Sequence, residues 1–569
     1  MSSASQREPR LAYEHDFECV YKSRQQRPGL RAGYVSRLEQ QLEAMQARLE
    51  RVEDYLVQGG HNMPFNIERT PVSLPSADNG QLESDPSDPD LAEVGGDVTQ
   101  DVLEAAPQPH LNTFSNDSPI PSATLSLPTA HETFRIWFQS YHPWFPILHH
   151  GSFQGLSTFE SSDQELICKA VTAVIIFDQA ESLPWHHARA AELRDQVLLQ
   201  GFATSSLQSV QALLVLSNHL YTSGKLAEFW NLLAVCKRIL AHPNLQRHGV
   251  SPLYTYTSRA QMAQRYAASS NVVKEEASRA FWMVEMLDAI STLGLPYSMP
   301  YSPSPLGASL PCLESQWSTT PTVIERSDSE PRYASGFTLC IMLSVEELKV
   351  VREFLGRSYE LDKLDQRLDW QSEAQRLDER LTNWREEFVA AVFQLINYEK
   401  GHLPRGEMES FFTLTNCILN EAIIVLLQQM APMPKGIETT FEHWAFATTR
   451  CTYACENLTA KVRRIGADQL GRESPYLISP LFVSARFYIV YSKALDADVP
   501  ANLHTLAFIL HACGKRWPLA QLYETIIRTA VAEHRSPISE CVLPVEFYDF
   551  RYTTLEITEL LQSAGTKLT

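Results

Sequence analysis

The sequence predicts an all-α protein, a large multi-helix array preceded by a disordered linker and a short parallel coiled coil. Apolar residues follow helical periodicity from His131 almost to the C-terminus, and strand-like alternation is nearly absent. A chain of 569 residues, of which 44% are hydrophobic, can bury a large core. We therefore predict four regions, 1–35, 36–58, 59–129 and 130–565.

Residues 36–58 are predicted to form a dimerisation coiled coil. Its apolar residues follow alternating steps of four and three, which keeps one stripe of a helix facing a partner helix. This seam consists of Leu38, Leu42, Met45, Leu49, Val52 and Leu56. Arg48 and Glu53 can pair between the chains of a parallel dimer. The alternative is a lone amphipathic helix docked on its own domain, because roughly three heptads form a short coiled coil.

The residues before the seam combine a cysteine, a basic linker and the coiled coil in that order. Asp16-Phe-Glu-Cys-Val-Tyr21 places a hydrophobic and an aromatic residue after Cys19. This order resembles the fungal six-cysteine zinc binuclear cluster transcription factors. The resemblance implies that Cys19 is the remnant of a zinc ligand and that the linker contacts the DNA backbone. The linker cations are Lys22, Arg24, Arg27 and Arg31; a solvated linker without that role is the alternative.

The zinc module departs from the family pattern in this chain. Six thiolates are needed to hold two zinc ions in tetrahedral sulfur coordination, and this segment contains Cys19 alone. We expect no cofactor from the chain as written, and zinc only if an upstream segment supplies the other five cysteines. The family's base-reading Lys and Arg are also missing, so direct DNA binding is expected to be weak or indirect. Two readings stay open, a start or splice site assigned in the wrong place and a regulator that has shed its DNA reader.

Composition restricts where nucleic acid could bind. The formal net charge is -19, which argues against phosphate binding by the helical body. Residues 59–129 are rich in Pro, Ser, Asp and Gly and cannot bury enough apolar surface to fold. Hydrophobic and acidic residues alternate between Asp90 and Glu104, which fits either an activation segment or a plain acidic linker.

The helical body begins with a Pro-containing aromatic turn. In Tyr141-His-Pro-Trp-Phe-Pro-Ile-Leu148 the prolines end a helix, while Trp144 and Phe145 can pin the turn into the core. Phe134 to Phe153 resembles the opening of the middle homology region of the same family. The predicted helices that follow lie at 166–177, 187–199, on either side of 222–224, and at 341–355, 361–395, 411–430, 443–462, 481–495, 503–513, 519–532 and 553–562. The helix at 361–395 has an apolar stripe on one face, formed by Leu377, Leu381, Trp384 and Phe388.

A further family landmark runs from Ala277 to Asp288 and on to Trp317. Trp282 lies on its apolar helical face, and we expect Arg279 and Asp288 to form a polar pair near that face. A structural role is favoured for this pair, and contact with a ligand is the alternative. The length of the body also suggests two subdomains with a cleft between them.

No pattern in the chain predicts catalysis, metal binding by the body, or a membrane span. His149-His150 lacks a third ligand, and Cys451 and Cys455, with His443 upstream, are more typical of a helical core stripe than of a metal site. Runs of about 18 apolar residues are absent. We therefore predict that the protein is not an enzyme.

The resemblance implies a nuclear, dimeric fungal transcription regulator of a metabolic or secondary-metabolite pathway. Its partners would be DNA, a second copy or a related factor, and its input could be a small-molecule effector. The alternative is an interaction protein that does not bind DNA and heterodimerises with a complete zinc-cluster factor. Sequence-specific DNA binding by this chain would exclude the alternative.

Overall fold

The structure is a computed structural model that describes residues 129–153, 162–178, 184–240, 271–295, 310–314, 317, 335–357, 359–360, 363–398, 407–430, 441–466, 469–470 and 473–563. Cys19, the basic linker, the Leu38–Leu56 seam and the acidic linker lie outside these residues and stay predictions.

The described residues are mainly helical and contain no β-strand, which confirms the predicted all-α class. The first helices are α1 (Ala130–Ser140), α2 (Ser162–Asp178), α3 (Pro184–Ala203), α4 (Leu207–Thr222), α5 (Leu226–Leu240) and α6 (Asn271–Ser291). They are followed by α7 (Gly336–Met342), a π-helical turn (Leu343–Leu348), α8 (Lys349–Leu355), α9 (Leu364–Tyr398), α10 (Glu407–Leu427) and α11 (Phe441–Val462). The last are α12 (Ile478–Ala494), α13 (Ala501–Gly514), α14 (Pro518–Ala532) and α15 (Thr554–Ser563).

The Pro-containing turn after α1 folds as predicted. Thr129 caps α1 by accepting a hydrogen bond from the Glu132 backbone N–H at 3.3 Å, and the helix ends at Ser140. Trp144 and Phe145 are buried, and the Trp144 indole N–H donates to the Ser140 carbonyl at 2.9 Å. The chain therefore leaves α1 along a path that both aromatic side chains fix in the core.

Neighbouring helices along the chain pack against each other, as α2 does with α3 and α4, and α10 with α11 and α12. The predicted turn between α4 and α5 contains Gly224 with a positive φ of 76°. The Lys225 N–H donates to the Leu220 carbonyl at 2.9 Å across this turn. This is the C-cap geometry that glycine adopts without a Cβ penalty, so the short loop is encoded locally.

The predicted helix at 341–355 is not uniform, because Leu343–Leu348 forms a π-helical turn. The Ser344 hydroxyl donates back to the Cys340 carbonyl at 2.8 Å, a contact that competes with regular helical bonding. The turn is followed directly by α8, which carries Arg352. A π turn rotates the residues after it relative to a regular helix, and apolar periodicity does not reveal it.

Helices α9 and α10 form much of the core of the second half. The apolar stripe predicted for α9, from Leu377 to Phe388, is buried. Ser410–Met430 is long and apolar enough to cross a membrane, but this segment is wholly buried inside the protein. The surrounding protein covers this segment, so it is a helix of the core.

The expectation of two subdomains is wrong for the described residues, which all belong to one compact unit. Contacts join their first and second halves directly. Tyr476 donates a buried hydrogen bond to Asn218 at 2.7 Å, and Arg516 pairs with Asp178 at 2.9 Å. Apolar periodicity places residues in a core but does not tell one core from two, so sequence alone could not decide this point.

Candidate functional site

The family landmark assembles around the buried guanidinium of Arg279, which is 1% exposed. Its Nε donates to Glu275 Oε1 at 2.8 Å, and its Nη1 donates to Glu314 Oε2 at 2.6 Å. The remaining donors reach the carbonyl oxygens of Pro146 at 3.3 Å and Cys312 at 3.0 Å. Arg279 thereby joins α6 to the aromatic turn and to the segment at 310–314.

The indole of Trp317 covers this centre. The Arg279 guanidinium carbon lies 3.8 Å from the Trp317 ring centroid, a cation–π contact in a buried environment. His149 Nε2 lies 3.0 Å from the Trp317 carbonyl oxygen, and His142 Nε2 lies 2.7 Å from Glu314 Oε1. Both histidines that flank the aromatic turn are thus engaged by neighbouring residues.

Two adjacent glutamates on α6 hold the backbone of the other segments. Glu275 Oε1 accepts from the Cys312 N–H at 2.9 Å, and Glu276 Oε1 accepts from the His149 N–H at 3.1 Å. Glu275 and Glu276 follow each other directly in the sequence, four and three residues before Arg279. The structure shows that these carboxylates supply the partners for Arg279 and for two buried backbone donors.

The charges at this centre shift the pKa values of its carboxyl groups in opposite directions. Burial acts against ionisation of Glu314, but Arg279 and His142 outweigh it and lower the pKa of this carboxyl to about 2. Burial raises the pKa of Glu276 to about 7, opposed in part by the His149 N–H and Gln211. Glu314 is therefore the firm counter-ion of Arg279.

The predicted Arg279–Asp288 pair does not form. Nine residues separate the two along α6, and at about 100° per residue they project from opposite sides of the helix. Asp288 instead accepts from Lys237 of α5 at 3.1 Å and lies 3.6 Å from Arg352 of α8. Trp282 is buried as expected and forms an edge contact with Phe281 at 4.9 Å.

Sequence reasoning missed Glu275, Glu314, Lys237 and Arg352 as members of these ionic centres. Glu275 could have been found, because Glu and Arg four residues apart share one face of a helix. Glu314, Lys237 and Arg352 come from other parts of the chain, and no local spacing announces them.

A further ionic centre lies between α9, α10 and α11. Both oxygens of the buried Asp378 accept from Arg450, with Nη2 at 2.6 Å and Nε at 2.9 Å. Arg385, one helical turn beyond Thr382 on α9, donates from Nη2 to Asn420 Oδ1 at 2.7 Å. Two buried arginines thus share the neighbourhood of one buried carboxylate.

The cysteines singled out in the sequence belong to the core. Cys451 and Cys455 are fully buried, and their thiols face the carbonyl oxygens of Ile424 and Ser484. Burial raises the pKa of both thiols, which makes them poor metal ligands and poor nucleophiles. Among the described residues there is no group of three His, Cys, Asp or Glu side chains that could hold a metal ion.

Comparison with known proteins gives two matches. The "Fungal specific transcription factor domain" family matches residues 135–386, a range that contains the aromatic turn and both Arg279 and Arg385. The notoamide biosynthesis cluster transcriptional coactivator notQ' of Aspergillus versicolor is 35% identical over 560 residues, which cover 97% of this chain and 92% of the relative. No solved structure matches the chain.

Proposed function

The chain belongs to the family of proteins with the fungal specific transcription factor domain, and from that premise we propose that it regulates transcription of a secondary-metabolite gene cluster. The observation that carries the proposal is the near full-length match to a transcriptional coactivator of a biosynthesis cluster. The match covers 97% of this chain, so it includes most of the sequence before the helical domain.

In the proposed mechanism the regions of the chain have separate tasks. Residues 130–565 are the regulatory domain, and residues 36–58 pair two chains in the nucleus. Residues 59–129 connect the coiled coil to the regulatory domain within each chain. The ionic centres at Arg279 and Asp288 hold α5, α6, α8 and the aromatic turn in one arrangement. Such a domain can receive an input and transmit it to a bound partner. We propose no catalytic step for it.

A second candidate function is favoured by the relative's description as a coactivator. In that function the chain pairs with a complete zinc-cluster factor and reaches DNA through it. The net charge of -19 supports this mode, since an acidic protein is repelled by DNA phosphates unless a partner supplies the basic surface.

The regulatory role is tested by deleting the gene in its host and sequencing the transcripts. We expect loss of expression of one contiguous group of biosynthetic genes and its return when the gene is restored. Unchanged expression of every such group under the conditions that induce them would contradict the proposal.

The predicted seam provides a sharper test with a matched control. Leu42→Asp with Leu49→Asp places charges in the apolar seam and is expected to abolish self-association in sedimentation and reporter expression in the host. The control, Gln40→Asp with Ala47→Asp, adds the same charge away from the seam and should preserve both. If the seam variant sediments like the native chain, residues 36–58 are not the dimer contact.

The two modes of reaching DNA are separated by a mobility-shift assay with the purified full-length chain. Sequence-specific binding by the chain alone supports the direct mode. Binding that requires a co-purified zinc-cluster factor supports the coactivator mode.

A further inference from the structure

Arg385 carries a buried charge for which the described residues provide no counter-ion of its own. Its side chain is 2% exposed, and the hydrogen bond to Asn420 is the one bond that its guanidinium makes within the described part of the chain. The Nε–H is buried and has no acceptor. No carboxylate of the described residues lies within 4.0 Å of its nitrogens.

The nearby carboxylate is already committed to another arginine. Asp378 accepts three hydrogen bonds from Arg450, of which the longest is 3.1 Å, and Arg450 also reaches the Thr382 hydroxyl at 3.2 Å. Asn420, the partner of Arg385, is neutral and gives its own N–H groups to Asn416. Among the described residues, the centre therefore holds two guanidinium charges against one carboxylate.

Holding such a charge in the interior is costly. Burial, reinforced by Arg450, lowers the pKa of Arg385 to about 9. Because a guanidinium stays protonated at neutral pH, the lowered pKa expresses the free-energy cost of keeping the charge at this position.

Comparison with Arg486 shows that the missing acceptor is what distinguishes Arg385. Burial lowers the pKa of Arg486 to about 9 as well. Its Nε and Nη1, however, donate to the carbonyl oxygens of Phe547 and Tyr552, each at 2.9 Å, and its Nη2 reaches the Asp549 carbonyl at 2.7 Å. Arg486 is thus saturated by the chain itself, whereas Arg385 has an unused donor beside an excess of positive charge.

We propose that Arg385 is the anchor of a binding site for a small carboxylate ligand, one oxygen of which accepts the free Nε–H. The ligand would bring the missing negative charge between α9 and α10, and Arg450 would strengthen its binding through the local positive potential. The proposal names the chemical class of an effector and therefore rests on the regulatory function proposed above. Carboxylate binding is measured without a transcription assay, so a negative binding result does not contradict the regulatory function, and a negative transcription result does not contradict binding.

The test uses thermal unfolding of the purified full-length chain in sodium chloride, formate and acetate at equal ionic strength and pH. We expect formate or acetate to raise Tm by about 1–3 °C over chloride, because a ligand that binds only the folded state stabilises it. Arg385→Met should lose this shift while its Tm in chloride stays at or above that of the native chain. Arg376→Met, on the exposed side of the same helix, should keep the shift.

Two outcomes would overturn the proposal. These are a Tm in formate and acetate equal to that in chloride, or the same rise in Tm in Arg385→Met as in the native chain, which would be a general salt effect. If Arg385→Met does not fold, Arg385→Gln replaces it, because the amide can still donate to Asn420. Loss of the shift in Arg385→Gln supports the site. Failure of both variants to fold shows that the guanidinium is fully stabilised by the chain and needs no ligand.

Discussion

Arg279 and Arg385 are buried to nearly the same degree, at 1% and 2% exposure, but they differ in the acceptors that surround the guanidinium charge. Arg279 meets two glutamates, two carbonyl oxygens and an aromatic face. Arg385 meets one amide oxygen, with a second arginine close by. The first centre is saturated and the second is not.

The difference separates structural arginines from candidate ligand sites. At Arg279 the nearby carboxylates raise the pKa of the guanidinium despite burial, whereas at Arg385 burial and Arg450 lower it. When all donors of a buried arginine have acceptors, removing the arginine leaves those acceptors buried without a partner, and the folded state loses stability. An unsaturated buried arginine costs stability until an anion arrives. The exposed fraction alone does not distinguish Arg279 from Arg385.

The largest expected effect comes from removing Asp378, the carboxylate that the described residues place beside Arg385 and Arg450. Asp378→Asn leaves these two buried arginines without a negatively charged partner among the described residues, and we expect a loss of about 3–5 kcal/mol in the free energy of unfolding. Urea denaturation of the full-length chain, followed by circular dichroism, measures the loss.

The double change Asp378→Asn with Arg450→Met serves as the control. It removes one charge of each sign and should lose less stability than Asp378→Asn alone. A double variant that is less stable than the single one would show that the two arginines do not oppose each other, and the contrast with Arg279 would disappear.

A smaller effect is expected at the saturated centre from Glu314→Gln. The amide keeps a hydrogen-bond acceptor for Arg279 but loses the charge, and a quarter of the Glu314 side chain is exposed to solvent. We therefore expect a loss of about 2 kcal/mol at pH 7. The control Glu192→Gln, at an exposed pair with Arg189, should change little.

The pH dependence of this effect follows from the depressed pKa of Glu314. A carboxyl whose folded pKa is about 2 instead of 4.5 contributes stability that is complete above 4.5 and is lost as pH falls toward 2. The difference between the native chain and Glu314→Gln should therefore be constant from pH 8 to pH 6 and shrink below about pH 4.5. A difference that stays constant down to pH 3 would show that Glu314 is not the titrating counter-ion of Arg279.

Much of this fold could be predicted from the sequence, because the local periodicity of apolar residues predicts helices. The stripe from Leu377 to Phe388 on α9 and the Pro-containing turn at Trp144 and Phe145 lie where the pattern placed them. The π turn at Leu343–Leu348 leaves no such signal.

The ionic centres were less predictable, since their members come from distant parts of the chain. Asp378 and Arg450 are 72 residues apart. Helical periodicity predicts that each lies on a buried face, but it does not predict which side chain each one contacts. The mistaken Arg279–Asp288 pair could have been avoided by applying the helical period strictly. Arg385 gave no such signal, because it directly follows Trp384 and is therefore rotated by about 100° from that residue of the apolar stripe.

The smallest effect is expected at the Asp288 centre, which is intermediate between the other two. Lys237 donates to Glu285 at 3.2 Å and to Asp288 at 3.1 Å, and Arg352 stays near Asp288 when Lys237 is replaced. Lys237→Met should therefore cost about 1–2 kcal/mol at pH 7, less than loss of a sole partner. The matched change Lys237→Arg keeps the charge and should recover most of this loss.

The pH response of Lys237→Met distinguishes lost charge from lost packing. Burial already raises the pKa of Glu285, and Lys237 acts in the opposite direction, so removing Lys237 should raise it further. A carboxyl with a raised folded pKa destabilises the protein as pH rises through the interval between its unfolded and folded pKa values. Lys237→Met should accordingly regain stability relative to the native chain when the pH is lowered from 8 to 5, as Glu285 takes up a proton. A loss that is independent of pH would assign Lys237 a packing role, and the Asp288 centre would then belong with neither of the two arginine centres.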